Sequence, residues 1–237
     1  MFLKALFYRG TTLKYVFAAT VKGISMRIRW HGHSCFEIEN QQVVVTDPHD
    51  GKSIGIKTPG VEGDIILVSH DHFDHNAVRI VKKKKSEIVD SQGKYSLGEV
   101  SIEGFTTFHD QEEGAKRGEN VIYKFTMDNT TFCHLGDLGH IPGSDIIDKI
   151  KDVNFLFIPV GGTFTIGPEE AVELVKKLNP SIAVPMHYKV GGLSLNIKDV
   201  NPFLACFSEE NIHKVGVELE FLDCDIPEET EIWVFSL

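Results

Sequence analysis

The chain has 237 residues, 42% apolar and 24% charged, the composition of an ordinary globular domain with ample side chain for a core. Acidic residues (34) outnumber basic ones (24), and a net charge of −10 disfavours a general nucleic-acid surface while leaving room for a local phosphate site. Cys35, Cys133, Cys206 and Cys224 form no C-x-x-C pair and are too scattered for a disulfide scaffold, which excludes a zinc ribbon or thioredoxin-type motif and favours a reducing cytoplasm.

Residues 1–25 carry Lys4, Arg9, Lys14 and Lys22 and no acid, a charge of +4 that leaves −14 for the rest. Their apolar runs are broken by Lys4, Arg9, Gly10 and Lys14. They are therefore too short for a secretory signal, and no transmembrane segment is expected. The segment reads as an N-terminal extension packed at an edge, as sequence ahead of a start at Met26, or as a basic and aromatic membrane-surface patch. Residues 26–237 read as a single domain.

Strands are predicted at Met26–Trp30, Cys35–Glu39 and Val43–Asp47, the last two joined as a hairpin that brings His33 and Ser34 close to Asp47. A Gly/Pro loop, Pro48–Gly63, leads into a buried-type strand, Asp64–Ser69. A helix is expected from about Phe73 to Lys85, with Lys82–Lys85 as its solvated last turn. Further strands follow at Glu87–Val89, Val100–Phe108, Val121–Met127, Thr130–Leu135 and Asn154–Pro159. Pro168 opens a helix over Glu169–Leu178. A strand at Ser181–Met186, a helix at Lys198–Phe207 and strands at Val215–Phe221 and Glu231–Phe235 complete the chain. Antiparallel-looking strands punctuated by a few helices favour two stacked sheets with outer helices over a doubly wound parallel sheet.

The chemistry lies at strand ends. His70-Asp71-His72-Phe73-Asp74-His75 supplies several imidazole and carboxylate donors within six residues, suited to Zn²⁺ and also to Mn²⁺ or Fe²⁺. In a strand-to-helix turn its side chains can point different ways, so one pair can serve one ion and the next pair another. His109, Asp137 and His187 each follow an apolar run, and together these residues are enough for two open coordination spheres.

The order H-x-H-x-D-H, His, Gly-Asp, late His resembles the signature of the metallo-β-lactamase superfamily. Trp30-His31-Gly32-His33-Ser34-Cys35-Phe36, Thr46-Asp47-Pro48, Leu135-Gly136-Asp137, Gly161-Gly162-Thr163-Phe164 and Pro185-Met186-His187-Tyr188 resemble its ascorbate-phosphate-lactonase-like branch of metal-dependent hydrolases. The resemblance runs from about Met26 to near the C-terminus. It implies an α+β fold, a four-layer αββα sandwich with the site at the edge between the sheets. It implies two divalent metal ions, with His70, His72 and His109 on one, Asp74, His75 and His187 on the other, and Asp137 bridging. Asp47 is implied to orient ligands from outside the coordination sphere.

Two ions ~3.5–4 Å apart can share and acidify a water whose hydroxide attacks a carbonyl or phosphoryl centre. The expected substrate is a small, anionic ester, lactone or phosphodiester. Asp74 is a candidate for orienting the nucleophile as well as binding metal. His33 is a candidate catalytic or orienting residue, or a structural histidine. Arg117 could hold a substrate phosphate or carboxylate, or be a solvated loop arginine. His72 stands where flavodiiron relatives have glutamate, and 49 residues between Asp137 and His187 are too few for the inserted domain of the nucleic-acid-processing branch. A metal-stabilised binding or regulatory module, a lipid phosphodiesterase at a membrane surface and an iron oxidoreductase are the alternatives. A homo-oligomer is left open.

Overall fold

Alternating burial over Ser25–Gly32, exposed then buried, makes this segment a strand with one face on the core, and its partners extend the same pattern into a sheet. The computed structural model describes residues 23–237, so most of the N-terminal extension lies outside the described residues. Among the described residues six strands form the first sheet. These are β1 (Ser25–Gly32), β2 (Cys35–Glu39), β3 (Val43–Thr46), β4 (Gly63–Leu67), β5 (Lys82–Val89) and β13 (Glu218–Leu222), in the order β13-β1-β2-β3-β4-β5. The second sheet has eight: β6 (Gly93–Leu97), β7 (Val100–Phe108), β8 (Glu119–Met127), β9 (Thr130–His134), β10 (Phe155–Pro159), β11 (Ile182–Met186), β12 (Ile212–Gly216) and β14 (Glu231–Phe235). Their order is β12-β14-β11-β10-β9-β8-β7-β6.

The inner faces of the two sheets meet in one core. Phe36 of the first sheet packs on Phe157 of the second with ring centroids 4.4 Å apart, and both are fully buried. Trp30 stacks on Tyr188 at 5.2 Å, and the Tyr188 hydroxyl donates to the Phe235 carbonyl at 2.8 Å. β10 and β11 are buried along their whole length, because β10 has the other sheet on one face and helices on the other. α2 (Ser144–Ile150) and α3 (Pro168–Leu178) supply that cover, α3 through Ala171, Val172, Leu174, Val175 and Leu178. This is the expected α+β sandwich. Among the described residues no helix is long and apolar enough to cross a membrane.

Four local expectations are corrected. The predicted helix from Phe73 to Lys85 shrinks to one turn, α1 (Val78–Val81), and Lys82–Val89 is an edge strand instead. The register of β4 and β5 shifts between Gly63 and Ile65, so the lysines lie on a bulged, solvated edge, where they also guard it against pairing with another chain. The helix predicted over Lys198–Phe207 is only α4 (Asn201–Leu204), because Pro202 is tolerated in a first turn and not in a helix interior. Val215–Phe221 is not one strand. Gly216, at φ +78°, turns the chain out of β12 in one sheet and into β13 in the other. Nor are the sheets mainly antiparallel: β3, β4 and β5 run parallel, as do β9, β10, β11, β14 and β12.

Phe157→Ala removes the ring that joins the two inner faces and should cost about 3–5 kcal/mol, read as a lowered urea midpoint with an unchanged m-value.

Candidate metal centre

Strand direction brings the candidate residues together. In the first sheet β1, β3 and β4 point the same way, since β2 is antiparallel to both β1 and β3. In the second sheet β7, β9 and β11 share a direction by the same reasoning. His33 follows β1, Asp47 follows β3, His70–His75 follow β4, His109 follows β7, Asp137 follows β9 and His187 follows β11. Every one of these residues therefore leaves its strand at the same edge of the sandwich, the carboxyl ends where mostly parallel sheets gather ligands. Three turn there in the left-handed region without being glycine: His33 at φ +56°, Asp47 at +37° and His187 at +51°. Asp and His tolerate this conformation better than most residues, and such strain concentrates at functional sites.

Asp137 Oδ2 is the centre. It lies 3.1 Å from His187 Nε2, 3.2 Å from His109 Nε2, 3.3 Å from His75 Nε2 and 4.0 Å from His70 Nε2. His70, His72 and His109 offer donor atoms that all lie within 4.8 Å of one another, as do His70, His75 and Asp137, and also His33, His75 and His187. Asn120 fixes the carboxylate's backbone: its Oδ1 accepts from Asp137 N at 2.9 Å, while its Nδ2 donates to Leu135 O and Thr107 Oγ1. Gly136, at φ +57°, lets that loop approach; a Cβ there would sit 2.3 Å from Asn120 Oδ1 and 2.6 Å from Ser69 Cβ.

Asp47 sets two tautomers at once. It accepts from Ser69 N at 2.7 Å and Ser69 Oγ at 2.7 Å, and its Oδ2 lies 3.0 Å from His75 Nδ1. A carboxylate only accepts, so His75 must carry its proton on Nδ1 and present Nε2 to the centre. The Ser69 hydroxyl spends its single proton on Asp47, so the 2.9 Å contact to His70 Nδ1 is a donation from His70. His70 Nε2 then carries a lone pair, and it is buried with no partner among the described residues. Asp137 Oδ1 is likewise buried and partnerless.

The charge balance of this centre calls for cations. Asp47, Asp74 and Asp137 are buried, and among the described residues no lysine or arginine is buried with them. Burial by itself would raise the Asp137 carboxyl; His187 and His75 hold it well below the ordinary range. Burial likewise opposes charge on His75, yet Asp137 and Asp47 on its two sides hold its pKa well above that of a free imidazole. Burial, then the neighbouring His75, push His70 down to about 3, leaving it a neutral donor at physiological pH. A neutral His70 with an unsatisfied inward lone pair, further imidazoles turned to the same point and buried carboxylates fit divalent metal ions.

A cavity of about 260 Å³ opens onto this centre, and Phe73, Arg117, Phe164 and Leu195 form its apolar and cationic rim above His72, Asp74, His109, Asp137 and His187. A larger cavity of about 620 Å³ lies elsewhere, between Arg29, Lys57 and Leu237, and holds none of these residues. The Arg117 guanidinium lies 4.5 Å over the Phe164 ring. Its loop is wound around Asp110, whose carboxylate accepts from the backbone N–H groups of Glu112, Gly114, Lys116 and Arg117 at 2.8–2.9 Å. Those bonds outweigh desolvation and hold Asp110 down to about 2.

His33 departs from the expected hairpin contact with Asp47. It is fully buried and reaches Asp74 Oδ2 at 3.2 Å and His75 Nε2 at 3.0 Å, so His75 stands between it and Asp47. His140 accepts from Phe108 N and packs on the Phe108 ring, a structural role. Ser69, Asp110 and Asn120 went unrecognised in the sequence. Asn120 alone left a signal there, a carboxamide opening the apolar run Val121-Ile122-Tyr123.

Residues 27–187 match the family model for a beta-lactamase superfamily domain. The chain belongs to that superfamily. It is 32% identical over 189 residues to a UPF0173 metal-dependent hydrolase of Thermoplasma volcanium, covering 70% of this chain and 84% of the relative. A UPF0173 metal-dependent hydrolase of Bacillus cereus is 30% identical over 197 residues, with 69% and 86% covered. A solved structure of a metallo-beta-lactamase superfamily protein from Thermotoga maritima superposes with a TM-score of 0.74 at 36% identity, covering 89% of this chain and 98% of the other. The chain is a member of the UPF0173 metal-dependent hydrolase family.

Asp47→Asn replaces an obligatory acceptor by a group that also donates. It should weaken binding of added Zn²⁺ by about 10–100-fold, measured by competition with a chromophoric chelator, with the folded far-UV spectrum retained.

Proposed function

We propose that this chain hydrolyses a small ester, lactone or phosphodiester that carries a negative charge. The observation that carries this reading is the position of Asp137 Oδ2 between two groups of histidines, beneath a mouth bearing Arg117. His70, His72 and His109 would hold one divalent ion, Asp74, His75 and His187 a second, and Asp137 both. Zinc suits this set best, and manganese or iron would also be accepted. When bound, such ions supply Lewis-acid polarisation and an acidified water.

The chain's own groups provide the rest. Asp47, through Ser69 and directly, keeps His70 and His75 facing inward. Asp74 lies on the lining of the cavity and orients the attacking water. His33 stands behind it at hydrogen-bond distance, with its own pKa pushed down to about 3 by burial and the neighbouring His187, so it meets Asp74 as a neutral ring. Arg117 pairs with the anionic group of the substrate from the rim, its planar fork being suited to carboxylate or phosphate. Phe73, 63% exposed, and Phe164 offer apolar surface beside it.

Hydrolysis across a panel of lactones and phosphodiesters should disappear on chelation and return with added metal. His72→Ala and Asp137→Ala should each lower kcat/KM by more than about 100-fold, since a ligand is worth more than the groups that orient it. Metal-loaded wild type that turns over nothing in a broad panel would point to a binding module instead. Arg117→Ala should raise KM for the anionic substrate by about 10–100-fold with little change in kcat, and leave a neutral analogue unaffected.

A further inference from the structure

We infer that His33 is itself a protein ligand of the second metal position, beside Asp74, His75 and His187, and that this position offers one donor more than the first. The inference rests on the two-ion reading above and goes beyond it, because the signature motifs supply no donor from the β1–β2 turn.

Donor spacing is the first support. His33 Nε2 lies 3.0 Å from His75 Nε2 and 3.2 Å from Asp74 Oδ2. Two donors each ~2.0–2.2 Å from a shared ion stand about 3.0–3.5 Å apart, so both contacts have the separation of ligands on one centre. A hydrogen-bonding role accounts for them less well. A single Nε2 proton on His33 can serve only one of its two neighbours, whereas an ion that takes the place of the Nε2 proton on His75, with Asp47 keeping a proton on Nδ1, meets two imidazole lone pairs and a carboxylate oxygen at ligand separation. One cation satisfies all three atoms together.

The setting of the ring is the second support. His33 shows the same pattern as His109 and His187: a buried imidazole whose Nδ1 has no partner among the described residues and whose Nε2 is turned to the cluster of carboxylates. Its ring centroid lies 4.2 Å from that of His187 and 4.7 Å from that of His75.

Backbone placement is the third. The His33 carbonyl accepts from Trp30 Nε1 and from His187 N, both at 3.1 Å. The second bond ties the His33 peptide to the residue expected on the same ion. These two bonds hold His33 in its left-handed conformation, whose cost the surrounding structure must repay.

With His33 included, the second position has three imidazoles, Asp74 and a share of Asp137. The first has three imidazoles and a share of Asp137. The two ions would then differ in coordination number and in affinity, and the second would suit five- or six-coordinate metals.

Cobalt is the probe. Metal-free wild type, His33→Ala and His33→Gln are titrated with Co²⁺ while the visible d–d absorption is recorded. Wild type should take up two ions with distinct absorptivities. Both variants should keep one site unchanged, weaken the other by about 10–100-fold and raise its absorptivity as coordination number falls. His33→Gln is the decisive variant, because its amide can still donate to Asp74. If it matches wild type in both affinity and spectrum, His33 only positions Asp74 and the inference is overturned. Proton NMR of the wild-type dicobalt protein gives a reading that needs no variant. A hyperfine-shifted, exchangeable ring N–H is expected from His33 as well as from His70, His72, His75, His109 and His187, and its absence for His33 counts against coordination. Uptake of fewer than two cobalt ions by wild type would instead remove the two-ion reading, a separate result from an unchanged His33→Gln.

Discussion

A buried carboxylate must be neutralised or paired, and Asp137 is paired by imidazoles from three different loops. One of its oxygens meets His75, His109 and His187 within about hydrogen-bond distance. With Asp47 and Asp74 also buried nearby, the sheet edge concentrates negative charge that desolvation makes costly. Imidazoles hold those carboxylates ionised, and the inward lone pairs form a cradle for cations. Asp47 completes the arrangement from behind. It costs the fold a buried charge and a left-handed residue, and in return it fixes which nitrogen of His70 and His75 faces the centre.

The sandwich exists to hold this edge still. Strands that share a direction deliver their C-terminal loops to one place. The two sheets are also tied together close to it, with Tyr123 donating to Val68 O and Val89 O, and Val121 N donating to Ser69 O. Ligands carried on short loops from such strands are positioned more tightly than ligands on long loops. The rim of the cavity is built separately. There Arg117 rests on Phe164, and its loop is organised by four backbone bonds to one carboxylate, Asp110.

Legibility in the sequence followed the strength of local signals. Val100–Phe108 and Glu231–Phe235 were found with their observed boundaries, because both are β-rich runs bounded by turn residues or the chain end. The Pro168 helix was equally plain, with proline at its start, Glu170 bonding back to Gly167 N and lysines in its last turn. Lys82–Lys85 misled because a lysine run suits a solvated helix end and a guarded sheet edge equally well. Only pairing with β4 decides between them. Strand direction was also hidden, since parallel and antiparallel neighbours differ in the connection and not in the strand itself.

By itself the sequence determined the inventory of chemistry: H-x-H-x-D-H after an apolar strand, lone His and Asp residues after later strands, and the superfamily these imply. That information is local, residue type and position relative to a strand end, and it survives without coordinates. The tertiary structure decided which of these groups meet and through which atoms. His33 lies against Asp74 and His75 instead of Asp47, Ser69 relays Asp47 to His70, and Asn120 secures Asp137. Contacts between residues tens of positions apart depend on sheet register and loop path, set by the packing of the whole core, and no local pattern encodes them.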